Sequence, residues 1–130
     1  MKGIIDISKL KHPPERHELD TARFFADRGY NIEFIPPSNI PEVHRPDIVM
    51  DGKEWEIKCP TGKGKHTIIR NLREGTRQSR NIIMDLRRIA IPESKSIHDI
   101  EIVFDTNRSI RKIFIICKDE NLLKLQRKSN

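Results

Sequence analysis

Residues 46–58 read PDIVMDGKEWEIK, Pro46 to Lys58. Asp51-Gly52 stands between two runs of strand-forming residues, a strong signal for a two-residue β-hairpin turn. That turn fixes the register. Met50 pairs with Lys53, Val49 with Glu54, Ile48 with Trp55 and Asp47 with Glu56. Residues directly opposite each other share a face of the sheet, and alternation then sorts the side chains. Ile48, Met50, Trp55 and Ile57 fall on one face, which reads as core. Asp47, Val49, Glu54, Glu56 and Lys58 fall on the other.

Like charges opposed in a sheet destabilise it. A divalent cation would turn that repulsion into coordination, and hard carboxylate oxygens suit Mg²⁺ or Mn²⁺. Lys58, two residues beyond Glu56, is placed to orient a water or to offset charge on a phosphate. The competing reading is a solvated hairpin face on which Lys58 offsets two acids, since half-exposed antiparallel sheets are common.

The rest of the chain supplies helices and further strands. Pro13 and Pro14 suit the first turn of a helix reaching Arg28, with Gly29 as its stop. Gly3–Ile7 and Tyr30–Ile35 read as strands and Ser38–Pro46 as a loop. Lys65–Gln78 has helical period, Arg80–Arg87 reads as a strand, Ser96–Asn107 as a helix and Arg111–Lys118 as a buried strand. Asn121–Lys128 fits either a strand or a helix. This alternation predicts one α/β (α+β) domain over residues 1–130, with a central mixed sheet flanked by helices.

The 130 residues carry 25 Lys and Arg against 19 Asp and Glu, a net charge of +6. A basic balance favours a polyanionic partner such as nucleic acid or an anionic surface, or else serves solubility. No apolar run has transmembrane length, and MKGIIDISKL lacks the features of a secretory signal. The expectation is action in the cytosol, or delivery by something outside this chain. Cys59 and Cys117 are too few for a disulfide framework or a zinc site, and Cys117 lies in an apolar run. His12, His17, His44 and His98 lack metal-ligand spacing.

Pro46-Asp47 followed by Glu56-Ile57-Lys58 resembles the PD-(D/E)xK nuclease signature. Around it, HELDTARFFADRGYNIEFIPPS (His17–Ser38), the stretch Arg45–Ile89 and RKIFIICKDE (Arg111–Glu120) are similar to the C-terminal tRNA-nuclease domain of bacterial contact-dependent growth-inhibition toxins. The resemblance spans Pro14 to Lys124. It implies a restriction-endonuclease-like core and a divalent metal (Mg²⁺ or Mn²⁺, with Zn²⁺ as a further choice) held by Asp47 and Glu56. It also implies hydrolysis assisted by Lys58, a tRNA substrate and a cognate immunity protein. A DNA endonuclease of the same fold, a non-catalytic nucleic-acid-binding module and an interaction protein with an incidental acidic hairpin are the alternatives.

Two further segments extend the candidate site. Glu18 falls inside the apolar stripe Leu19, Ala22, Phe25, Ala26 and Gly29 of the first helix, where a carboxylate needs a partner. Family members place a helix glutamate near the metal, and Glu18 matches that position; the alternative is a marginal residue reaching water. Glu15, one turn earlier, suits the helix N-terminus. After Lys58, PTGKGKHT offers Thr61, Lys63, Lys65 and His66 beside flexible glycines, a phosphate-site composition without Walker spacing. Thr61 and Thr67 could instead cap the helix. Along that helix Arg70, Arg73 and Arg77 form a stripe suited to a phosphate backbone or to plain solvation. His66 is of a residue type that serves as a general acid or base, but a lone histidine after a lysine is more often an ordinary surface or capping residue. Trp55 reads as core rather than as a base-stacking platform.

Overall fold

A computed structural model describes residues 1–128. Asp51 and Gly52 both take left-handed backbone angles, φ 56° and 73°. This is the turn whose twist matches two paired strands, and glycine adopts it without a Cβ penalty. It joins β3 (Ile48–Met50) to β4 (Lys53–Lys58) in the expected register: Met50 with Lys53, Val49 with Glu54, Ile48 with Trp55.

The other elements are β1 (Ile5–Asp6), α1 (Arg16–Ala26), β2 (Ile32–Phe34), α2 (Thr67–Thr76), β5 (Asn81–Asp85), α3 (Glu93–Thr106), β6 (Lys112–Ile116) and β7 (Leu122–Gln126). Seven strands form a single mixed sheet in the order β1-β2-β3-β4-β5-β6-β7. The strands β2, β3 and β4 form an antiparallel meander, while β4, β5 and β6 run parallel. Parallel neighbours need crossovers, and α2 and α3 provide them. The tail resolves as strand β7, antiparallel to β6.

The sheet separates two apolar clusters. Under α1 lie Ala22, Phe24, Phe25, Ile48, Met50, Trp55, Ile57, Ile83 and Phe114. Under α2 and α3 lie Ile68, Leu72, Ile82, Met84, Ile100, Ile113, Ile115 and Cys117. The central strand β5 is therefore covered on both faces, which is why it reads as an unbroken apolar run. Trp55 is core, and its indole Nε1 donates to the Met50 carbonyl at 3.0 Å. Cys59 packs against the first cluster and Cys117 lies within the second.

Element ends differ from the sequence reading for local reasons. The helix α1 begins two residues after Pro14 because Glu15 takes the N-cap, its amide donating to Glu18 Oε1 at 3.2 Å. It ends at Ala26; Gly29, at φ 93°, lets the Tyr30 amide turn back to the Phe25 carbonyl at 3.1 Å. The helix α3 starts earlier than Ser96, at Glu93, with Pro92 as its N-cap. No helix among the described residues is long and apolar enough to cross a membrane.

Candidate active site

The ladder between β3 and β4 stops one residue short of the expected Asp47–Glu56 pair. The Asp47 amide donates at 3.0 Å to the carbonyl of Trp55, the partner of Ile48, so the backbone register does not advance. The Asp47 side chain takes the vacant place instead, its Oδ2 accepting the Ile57 amide at 2.7 Å. The two acids still meet through their side chains: Asp47 lies within hydrogen-bonding reach of both Glu56 and Glu18, each of which burial and the Asp47 charge hold in the protonated form that can donate to it. Asp47 thus bridges the other two at the point where β3 parts from β4.

Glu56 is 4% exposed, beneath the C-terminal end of α2. Burial, then the Asp47 charge and hydrogen bond, push its carboxyl up to about 9. Burial and Asp47 likewise raise Glu18 to about 7. At neutral pH the cluster holds protons that a cation could replace, so its donor chemistry fits a hard divalent ion. The three do not close on one point. The tighter grouping, Glu93, Cys117 and Asp119 within 4.8 Å of one another, lies elsewhere, and Glu93 Oε1 there already accepts the Lys118 amide at 2.6 Å.

Lys58 follows Glu56 on the same strand face. Its Nζ stands 3.7 Å from Glu56 Oε2 and 3.7 Å from Glu74 Oε2, with the lysine side chain 17% exposed. Gln78, just past α2, sets its side-chain amide 3.1 and 2.9 Å from the two Glu56 oxygens, and the amide orientation that satisfies both groups is the one in which its nitrogen donates. Neither Glu74 nor Gln78 stands out in the sequence. Both lie on or just after the amphipathic helix α2 that follows β4, and only its packing over β4 reveals them.

Asp47 opens onto two clefts. One, of about 460 Å³, is lined by Lys9, Lys11, His12, Glu15, Glu18 and Asn39 among others. The other, of about 350 Å³, is lined by residues of the 35–46 loop and by Gln78. His66, Arg70, Arg73 and Arg77 line a separate groove of about 700 Å³ with Ile69 and Glu74. The Lys58–Glu74 ion pair links that groove to the carboxylates. Thr61, Lys63 and Lys65 are exposed on the intervening loop and line neither cleft. That loop is tied down by the Ala90 amide, which donates to the Gly62 carbonyl at 2.9 Å. His66, not Thr61 or Thr67, is the N-cap of α2, and Thr67 is buried in its first turn.

The fold is similar to that of a solved chain from Burkholderia pseudomallei, described as a "CdiA-CT/CdiI toxin and immunity complex". The TM-score is 0.70 at 17% identity, covering 96% of this chain and all of that one. No curated protein matches the sequence. The model of the contact-dependent growth inhibition CdiA C-terminal domain matches residues 44–122, more than half of the sequence and the whole span from the 35–46 loop to the start of β7. This chain belongs to the contact-dependent growth inhibition CdiA C-terminal domain family.

Proposed function

We propose that the chain is a metal-dependent nuclease of the PD-(D/E)xK type, acting on RNA with tRNA as its target. In this reading it is the toxic end of a larger delivered protein and is neutralised by a cognate immunity protein. The observation that carries the proposal is Asp47 bridging Glu18 and Glu56 where two strands part, with Lys58 beside Glu56. The family supports the toxic role, and the choice of tRNA rests on the sequence resemblance.

Asp47 and Glu56 would hold the divalent ion, Mg²⁺ or Mn²⁺ by ligand hardness or Zn²⁺ as the further choice, and Glu18 would add a third carboxylate. Such an ion, when bound, neutralises the scissile phosphate and acidifies a water. Gln78 holds Glu56 by its two amide contacts, and Asp47 is fixed by the Ile57 amide. Lys58, steadied between Glu56 and Glu74, orients the attacking water or offsets charge gathering on the phosphate. Arg70, Arg73, Arg77 and His66 line a groove of the right sign for a phosphate backbone, while Thr61, Lys63 and Lys65 stand exposed on the loop before α2 and do not line it. An immunity protein with an acidic face would complement this surface.

The test is incubation with total RNA, purified tRNA and plasmid DNA, each with Mg²⁺, Mn²⁺, Zn²⁺ or EDTA. Metal-dependent cleavage of tRNA that EDTA and Asp47→Ala abolish is the expected result. Cleavage of plasmid instead would assign a DNA endonuclease. Binding of nucleic acid without cleavage under any metal would reduce the chain to a binding module.

A further inference from the structure

The first helix reaches the carboxylate cluster with its N-terminal turns, which are closed by the Glu15–Glu18 capping box but less buried than the rest of the helix. Its buried residues are Thr21, Ala22, Phe24, Phe25 and Ala26; none of residues 16–20 is buried. Glu18 lies in that less buried half, beside Asp47. Between the less buried and the fully packed halves stands Thr21, one turn beyond Glu18 on the same helix face.

Thr21 is fully buried, and its Oγ1 donates to Asp85 Oδ2 at 2.6 Å. Its other neighbours are the His17 carbonyl at 3.1 Å and Cys59 Sγ at 3.2 Å. Asp85 ends β5 and is 2% exposed. Arg87 encloses it, with Nε donating to Oδ1 at 2.9 Å, Nη2 to Oδ2 at 2.7 Å and the backbone amide to Oδ1 at 3.2 Å. Arg87 Nη2 also donates to the Asp20 carbonyl at 3.3 Å. A valine at position 21 would pack the same space, so the hydroxyl is not required to fill the core. Its hydrogen bond is directional, accepted by a charged group and sheltered from water, which makes it a stiff tie.

We infer that Thr21 and Asp85 are positioning residues of the nuclease site. Their buried hydrogen bond fastens the first turns of α1 to the end of β5 and thereby holds the Glu18 carboxylate against Asp47. The inference rests on the proposed metal-dependent activity for its catalytic meaning, and on the helix anchoring alone for its structural one.

The test compares wild type with Thr21→Val, which keeps the volume and leaves Arg87 to satisfy Asp85, and with Thr21→Ser, which restores the hydroxyl. Three quantities are read on the whole chain: Mn²⁺ affinity by calorimetry, kcat and KM on the nucleic acid that wild type cuts, and amide hydrogen exchange along α1. Thr21→Val should weaken Mn²⁺ binding and lower kcat by roughly 10- to 100-fold, as loss of a ligand's supporting contact does. KM should stay within about twofold, since substrate contacts are untouched. Exchange should quicken across residues 18–21, whose amides are held by the first turn, and not across residues 23–26. Thr21→Ser should recover most of each loss, and adding Thr21→Val to Glu18→Ala should cost nothing further.

A Thr21→Val protein with lowered thermal stability but unchanged Mn²⁺ affinity and kcat would overturn the inference. Additive losses in the double variant would do the same. If wild type neither binds Mn²⁺ nor cuts any nucleic acid, the proposed function itself fails. The exchange profile then decides the anchoring separately, and an unchanged profile across residues 18–21 would overturn it too.

Discussion

Asp47 carries two duties at once: it accepts the Ile57 amide and it confronts two glutamates. Asp47→Asn separates them, because the amide oxygen can still accept the Ile57 hydrogen while the charge is gone. In EDTA at about pH 9 and above, where Glu18 and Glu56 lose their protons, the metal-free variant should melt at a higher temperature than wild type, relief of like-charge repulsion being stabilising. Its affinity for Mn²⁺ should fall by more than the roughly 10- to 100-fold typical of an outer contact. Calorimetry and thermal melts in EDTA check both. Glu56 gives a pH signature. Its folded value of about 9 stands above its ordinary value of 4.5, and Glu18 is raised to about 7. Between those limits the folded state binds more protons than the unfolded state, so metal-free stability falls as pH rises. Melting temperature in EDTA should therefore decline from about pH 5 to pH 9, and Glu56→Gln should flatten most of that decline. A flat wild-type profile would contradict the shared-proton picture of the cluster.

The hairpin is the element on which the site depends, and a single turn residue tests it. Gly52→Ala at φ 73° should destabilise the chain by about 1 kcal/mol or more, visible as a lower denaturant midpoint. The helix α2 should behave oppositely. Replacing exposed Arg70, Arg73 and Arg77 together by alanine should leave the melting temperature nearly unchanged. It should weaken nucleic-acid binding and lower the slope of log affinity against log salt by about 2 to 3. Much of this element-level picture was legible beforehand, because a two-residue Asp-Gly turn permits one register and the parallel strands announce themselves as apolar runs. The register was readable as far as Ile48 and Trp55 and no further. At Asp47 a side chain displaced the backbone in the ladder, an exchange that alternation of strand residues does not encode. Gln78, Glu74, Thr21 and Asp85 were silent for a different reason. Each acts across a gap between elements (Thr21 on Asp85, Gln78 on Glu56), and helical or strand periodicity reports a residue's own face, not what another element brings to it.

At the scale of the whole molecule, a charge of +6 sets the conditions for any encounter with a polyanion or an acidic protein. Association with tRNA or with a neutralising partner should slow and weaken steeply between roughly 50 and 200 mM salt. A stopped-flow series over that range would show it, and salt-independent rates would argue against electrostatic docking. The sheet also divides the molecule chemically. Cys59 lies against the apolar cluster beneath α1, Cys117 within the cluster beneath α2 and α3, and burial pushes the Cys59 thiol up to about 12. Two sulfurs on opposite sides of a β-layer cannot reach bonding distance while the fold persists. A polypeptide exported from one cell and refolded in another would pass through oxidising surroundings, where a stray crosslink could trap it. Once folded, this one keeps its two thiols in separate clusters, unable to make that crosslink within the chain.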